Sequence, residues 1–164
     1  SHTYDVPNTN KTEIFKRLTD FTQQQLIKGE NALPQCRIVE NDEANGLLAA
    51  RIEEYLYFKK KAWVTHRTRF FYDVIYQVED NKFTVSLQRL HYIYEPEETP
   101  NDKLQDYRAE DWITDANALN PKGQLTRMAG KFRRFTIDRK NEIFREAAKA
   151  AGAQLKTRTV VVEE

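Results

Sequence analysis

The residue pattern of this chain predicts an α+β fold, an antiparallel sheet with two helices packed on one face. Three observations carry that expectation. Long runs of alternating aromatic and β-branched residues follow one another between positions 47 and 95. Two segments with helical spacing bracket those runs, and Asp80-Asn81 offers a two-residue turn between the second run and the third. A helical face must bury itself, so helices flanking a meander of strands suggest one helical layer against the sheet.

Taken in order, "TYDVP" (3–7) alternates and stops at a proline, which fits a short strand. Asn10 followed by Glu13 has the spacing of a capping box, with Asn in place of Ser or Thr. Ile14, Leu18, Phe21 and Leu26, with Phe15 beside them, recur at roughly helical spacing, and Gly29 stands where a helix C′ residue belongs. A helix over 11–28 follows. "QCRIVE" (35–40) reads as a short strand and "NDEANG" (41–46) as turn chemistry. The strands "LLAARIEEYLYF", "VTHRTRFFYDVIYQVE" and "KFTVSLQRLHYIYE" come next.

Residues 95–122 turn to Pro, Asp, Glu and Asn around Trp112, too long for an ordinary connection, and read as an irregular lobe held by its own apolar anchors. Residues 130–152 return to helical habit, with Phe132, Phe135, Ile143 and Ala147 on one side and Gly152 as the stop. The chain therefore reads as one domain over 3–152, in the order β-α-β-β-β-β-α. The tail 153–164 is either an added edge strand or disordered.

The strands also have faces. In 64–79 the even positions Phe70, Tyr72, Val74, Tyr76 and Val78 are large and mostly apolar, so that side meets the helices. A turn at Asp80-Asn81 pairs Val78 with Phe83, Tyr76 with Val85 and Val74 with Leu87, core with core; a slip of one residue destroys the match. For the preceding hairpin, a three-residue loop near Lys60-Lys61-Ala62 puts Leu48, Ala50, Ile52 and Leu56 on the core side. Glu54, Arg89 and His91 fall there too, at its margins, with Glu54 close enough to Arg89 for an ion pair.

The other face then has three rows: Tyr55–Arg67–Tyr94, Glu53–Arg69–Tyr92 and Arg51–Phe71–Leu90. Guanidinium groups between tyrosine rings can stack, at about 0.5–1 kcal/mol per exposed contact. Such a surface is either a solvated face whose rings and charges support each other, or a platform for a partner. The candidate ligand-binding residues are Tyr55, Arg67, Arg69, Phe71, Tyr92 and Tyr94.

Composition restricts the chemistry. Among 164 residues, 26 are basic and 25 acidic, giving a net charge of +1. That balance argues against a general nucleic-acid binder, which needs a surplus of Lys and Arg. The sole cysteine, Cys36, excludes an internal disulfide and reads as a buried structural thiol. No run approaches the roughly 18 apolar residues of a membrane span. His2, His66 and His91 are scattered; with His91 opposite Phe70, the last two stand about 13 Å apart at strand rise and cannot share a metal.

Neither Ser1 nor Ser86 sits in a nucleophile elbow, and the glycines form no phosphate-cradling loop. The acidic run "EPEETPND" lacks the spacing of a calcium loop, and "KFRRF" (131–135) is what an amphipathic helix produces. No cofactor or metal is expected, and no enzyme. A hydrolase would need Asp106 and Asp111 of the lobe to converge on the sheet.

"YDVPNTNKTEIF", "YDVIYQVEDNKFTVSLQRLHYIY", "AEDWITDANALN" and "KFRRFTIDRKNEIF" together resemble a bacterial domain of unknown function with a TATA-binding-protein-like (TBP-like) fold. The resemblance spans most of the chain and implies a curved sheet in the order already read. It also implies export in a Gram-negative bacterium, to the periplasm or cell envelope. That family carries no established activity, so no site residue follows from it. The TATA-binding protein uses its open sheet face for DNA, but Glu53 and Asp73 interrupt the face here, and nucleic acid is not expected. The expected role is a non-enzymatic envelope module that binds a protein or small ligand. The alternative is an assembly domain that forms a homodimer through its sheet face or edge.

Overall fold

The computed structural model describes the backbone of residues 1–61, 64–95, 105–108 and 124–155, with side chains described in these ranges apart from 57–61, 64–67, 94–95, 105–108, 124–129 and 131–132. Along the chain lie β1 (His2–Asp5), α1 (Lys11–Phe21) continuing into a π-helical turn (Thr22–Ile27), β2 (Arg37–Asp42) and β3 (Leu47–Lys61). They are followed by β4 (Val64–Glu79), β5 (Lys82–Glu95), β6 (Gln105–Arg108) and α2 (Gln124–Ala151). The strands make one antiparallel sheet in the spatial order β1-β5-β4-β3-β2. Short β6 shares the outer edge of β5 with β1, one taking Tyr94 to His91 and the other Lys82 to Val85.

The core lies between the sheet and the two helices. Phe70, Tyr72, Val74, Tyr76 and Val78 of β4 are all buried, as their alternation requires. They meet Ile14, Phe15, Leu18 and Phe21 of α1 and Ile143, Phe144, Ala147 and Ala151 of α2. Fully burying one such side chain is worth about 1.5–3 kcal/mol, so this layer dominates the stability.

Helix α1 begins as expected, with Asn10 Oδ1 accepting from the Glu13 N–H at 2.8 Å. The β4–β5 turn pins the same end: the Lys11 N–H donates to Asp80 Oδ1 at 2.7 Å, and Asn81 N–H to Thr9 O at 2.8 Å. A carboxylate there also complements the helix dipole. The five-residue step from Phe21 to Leu26 overshoots an α turn of 3.6 residues. The wider i→i+5 turn absorbs the excess, and Leu26 is buried. Helix α2 starts at Gln124, six residues before Gly130, and ends where Gly152 takes φ +79°. Arg17 Nη1 caps that end by donating to Ala151 O at 2.8 Å.

The registers hold in part. Val78 pairs with Phe83, Tyr76 with Val85 and Val74 with Leu87, as the turn requires. Beyond them β5 changes phase. Arg89 takes φ +57° in a bulge, after which Phe71 faces His91 and Phe70 faces Tyr92. One inserted residue sends every later side chain to the opposite face. Leu90 therefore packs against the core, and Tyr92 is fully buried, its ring stacked on Phe70 at 5.1 Å between centroids. Arg89 and His91 correspondingly leave the core side.

The β3–β4 hairpin differs from the expected three-residue loop as well. Lys61 pairs with Val64 across two residues, and a bulge between Lys59 and Lys61 restores the parity. Leu48, Ala50 and Ile52 are thus buried and Leu56 packs against the core, yet each row moves along by one pair. Tyr55 faces Arg69, Glu53 faces Phe71 and Arg51 faces Asp73. Of the expected lobe, β6 is a regular strand and the rest lies outside the described residues. After α2, the Gln154 N–H donates to Asp5 O at 2.8 Å, while 156–164 lie outside the described residues.

Candidate functional site

The outer face of the sheet, opposite the helices, is built row by row from these registers. The first row is Tyr55–Arg69–Ile93, the next Glu53–Phe71–His91, and the third Arg51–Asp73 with Gln88 and the bulged Arg89. Tyr55, Arg69, Phe71, His91 and Ile93 are each half-buried. The Phe71 and His91 rings lie 4.7 Å apart between centroids at 52°, a tilted pair. Strand rise separates successive rows on one face by about 6.6 Å, so the three rows form a continuous patch.

Charge is concentrated in the third row. Asp73 is buried, and its carboxylate accepts from Arg51 Nε at 3.0 Å and from Arg51 Nη2 at 3.3 Å. Arg89 Nε approaches the same carboxylate at 3.8 Å, an ion pair without a hydrogen bond. The side chains of Arg51 and Arg89 keep 43% and 72% of their surface in water, against 9% for Asp73. The bond from Asp73 and its charge push the Arg51 pKa above its ordinary value. One strand further out, Arg37 of β2 pairs directly with Arg51.

The sequence-derived site residues are therefore divided. Tyr55, Arg69 and Phe71 are brought together on the outer face. Arg67 lies on β4 at the parity of Arg69 and Tyr94 pairs with Thr68, while both side chains lie outside the described residues. Tyr92 is removed to the core. Three residues that the alternation did not single out, Arg37, Arg89 and His91, join the face. Their signal is a break in pattern: after Leu87 the apolar positions of β5 move from odd to even, at Leu90 and Tyr92.

A second polar cluster sits on the helix side, at the margin of the core. Glu54 is buried, and its carboxylate accepts from Arg139 Nε at 2.5 Å, Arg139 Nη2 at 3.0 Å and the Tyr72 hydroxyl at 3.1 Å. Its partner is thus Arg139 of α2, and the expected pair with Arg89 is not made. Arg139 also donates from Nη1 to Glu142 at 2.5 Å. Burial alone would lower the Arg139 pKa, but the bonds and charge of Glu54 carry it above the ordinary value. Beside this cluster a concavity of about 370 Å³ is lined by Asn31, Glu54, Tyr55, Arg139 and Glu142, among others.

Cys36 is buried, its Sγ donating to Glu53 O at 3.2 Å, and burial pushes its thiol pKa up, away from nucleophilic use. Among the described residues no three His, Cys, Asp or Glu side chains gather as metal ligands. Asp106 of β6 pairs with Ile93, and Asp111 lies outside the described residues. No described helix is long and apolar enough to cross a membrane.

Comparison with known proteins places this architecture. A crystal structure of a DUF4468 family protein from Bacteroides ovatus ATCC 8483 superposes with a TM-score of 0.77 at 31% sequence identity, covering 93% of this chain and 85% of the other. A TBP-like protein from Parabacteroides distasonis ATCC 8503 superposes with a TM-score of 0.64 at 18% identity, covering 93% and 92%. No curated protein matches the chain. The model of the "Domain of unknown function (DUF4468) with TBP-like fold" matches residues 1–93, which hold β1 through most of β5 and with them Arg37, Arg51, Arg69 and Arg89. The chain belongs to the DUF4468 family of domains of unknown function with a TBP-like fold.

Proposed function

We propose that this protein is a non-enzymatic binding module of the bacterial cell envelope, which holds a partner on the outer face of its sheet. The carrying observation is the patch of Tyr55, Arg69, Phe71 and His91, half-buried and contiguous on the face that α1 and α2 leave open. Arg and aromatic side chains are the groups on which binding hot spots are built, because they combine large contact area with directed hydrogen bonds. A rigid sheet holds them at fixed spacing, so binding costs little ordering. The envelope location rests on the resemblance to exported domains. Cell fractionation tests it: recovery of the native protein in the cytosol alone would refute export.

The platform is tested with an Arg69→Ala/Phe71→Ala double variant, set beside the wild type in capture from the envelope fraction of the source organism. Half-buried outer positions tolerate truncation, so melting is expected to fall by no more than a few degrees. The captured partners are expected to be lost. Undiminished capture by a folded double variant would remove the platform.

A further inference from the structure

We propose that the row Arg37–Arg51–Asp73–Arg89 is an oxyanion receptor, taking the carboxylate or phosphate group of a ligand whose apolar body lies on Phe71 and His91. This rests on the outer face being the binding surface, and adds the chemistry of what it binds. The row crosses four adjacent strands, which at about 4.8 Å per step spans about 14 Å.

Three features point to an anion. Two guanidinium groups share the one carboxylate of the row, whose two oxygens the fork of Arg51 already engages, while Arg37 donates from Nη1 only to the Gln35 carbonyl at 3.0 Å. Of the other acids at outer-face positions, Glu53 is buried one row away toward Phe71, and Glu40, opposite Ala49, stands exposed one row away on the other side. Within the row itself, three positive charges thus stand against the single negative charge of Asp73.

Next, Arg37 and Arg51 are direct cross-strand partners. Like charges opposite one another weaken a sheet, and an anion bridging them reverses the sign of that contact.

Last, Arg89 occupies a left-handed backbone conformation, φ +57°, that glycine or asparagine adopts with less strain. The bulge is achieved with an arginine where a smaller residue would serve the backbone better. What the arginine adds is its guanidinium, 3.8 Å from Asp73 and 72% exposed. Bulges re-aim side chains, and strained residues concentrate at binding sites. Asp73 acts as the tether that holds Arg51 in a fixed orientation, leaving Nη1 directed to a ligand. The tilted Phe71–His91 pair in the adjacent row supplies the apolar ledge.

The test is a titration of the full chain with acetate, benzoate and inorganic phosphate at constant ionic strength, following the arginine Nε–H resonances by NMR. Saturable shifts of Arg51 and Arg89 are expected, with sodium chloride producing none. Benzoate is expected to bind several-fold more tightly than acetate, because only benzoate reaches Phe71 and His91. Phosphate binding as tightly as benzoate would assign the site to phosphate and refute the apolar ledge. Arg51→Gln is expected to weaken binding tenfold or more. Arg89→Gly is expected to do the same while melting at the wild-type temperature or higher, since it relieves the left-handed strain. Shifts that grow linearly and equally with chloride, or variants that bind like the wild type, would overturn the receptor. If Arg69→Ala/Phe71→Ala loses its partners while these anions fail to saturate, the platform stands and the receptor falls.

Discussion

Gly46 and Gly152 both hold positive φ, +71° and +79°, but their surroundings differ. A Cβ on Gly46 would stand 2.1 Å from the carbonyl oxygen of Val78, whose N–H donates to Gly46 O at 2.7 Å. Backbone on both sides is fixed there by the ladder of β3 and β4, so nothing yields. A Cβ on Gly152 would meet the Arg17 guanidinium, Nη1 at 2.9 Å, the far end of a flexible side chain that can shift while loosening its bond to Ala151 O. Gly152→Ala is expected to cost about 1–2 kcal/mol, the left-handed penalty of a residue with a Cβ. Gly46→Ala is expected to cost more than about 3 kcal/mol, since a steric clash with fixed backbone adds to that penalty. Urea unfolding of the two variants measures both, and equal losses would contradict the assignment.

At the scale of elements, α2 is joined to the sheet by more than apolar contact. Glu54 of β3 holds Arg139 in a two-pronged ion pair and takes a third bond from Tyr72 of β4. Removing one member of a buried pair strands the other, which typically costs about 3–5 kcal/mol. Glu54→Ala is therefore expected to lose about 3 kcal/mol, because Arg139 retains some water and Glu142 as a partner. Glu54→Leu/Arg139→Met should recover much of that loss, as it leaves no charge unpaired. A double variant as unstable as Glu54→Ala would show that the pair itself, not the stranded charge, sets the cost. This pair marks a boundary of what the sequence discloses. Alternation put Glu54 on the helix side, but its partner lies 85 positions away on a helix whose rotation depends on packing. The bulge at Arg89 was concealed for a local reason: bulges are read from glycine, and this one uses arginine. Its trace is the change of apolar phase between Leu87 and Leu90, which moves Tyr92 into the core and His91 out. The π turn left a similar trace in the five-residue step from Phe21 to Leu26.

Across the whole molecule, burial on one side of each strand made the architecture legible. A half-turn error on β4 would have exposed Phe70, Tyr72, Val74, Tyr76 and Val78 together, a penalty too large for any competing pattern. The outer face bears no such penalty. Its rows follow from bulges: pattern alone placed Arg51, Glu53, Tyr55, Arg69, Phe71 and Asp73 on it, but not with the row partners they have. The same concentrated burial makes a measurable demand on the fold at high pH. Tyr72, Tyr76 and Tyr92 lie in the core, and burial pushes each hydroxyl well above the ordinary value of about 10. For Tyr72 the neighbouring Glu54 charge adds to that, while Arg139 opposes it. In the unfolded chain these groups ionise near pH 10; in the folded protein they stay neutral. Their contribution is therefore intact below about pH 10 and declines as pH rises toward the folded values. Each tyrosine removes about 1.4 kcal/mol per pH unit in that window, about 4 kcal/mol for the three. A margin of about 5–15 kcal/mol is then exhausted within a few pH units. Tyr76 shares a hydrogen bond of 2.9 Å with Thr22 Oγ1, so Thr22→Val/Tyr76→Phe removes both partners and leaves neither polar atom stranded. This double variant is expected to unfold like the wild type at pH 8 and to lose stability above pH 10 about one-third less steeply. Urea midpoints between pH 8 and 11 measure the slope. An unchanged slope would mean that Tyr76 ionises as readily in the folded protein as in the unfolded chain, which its complete burial does not allow.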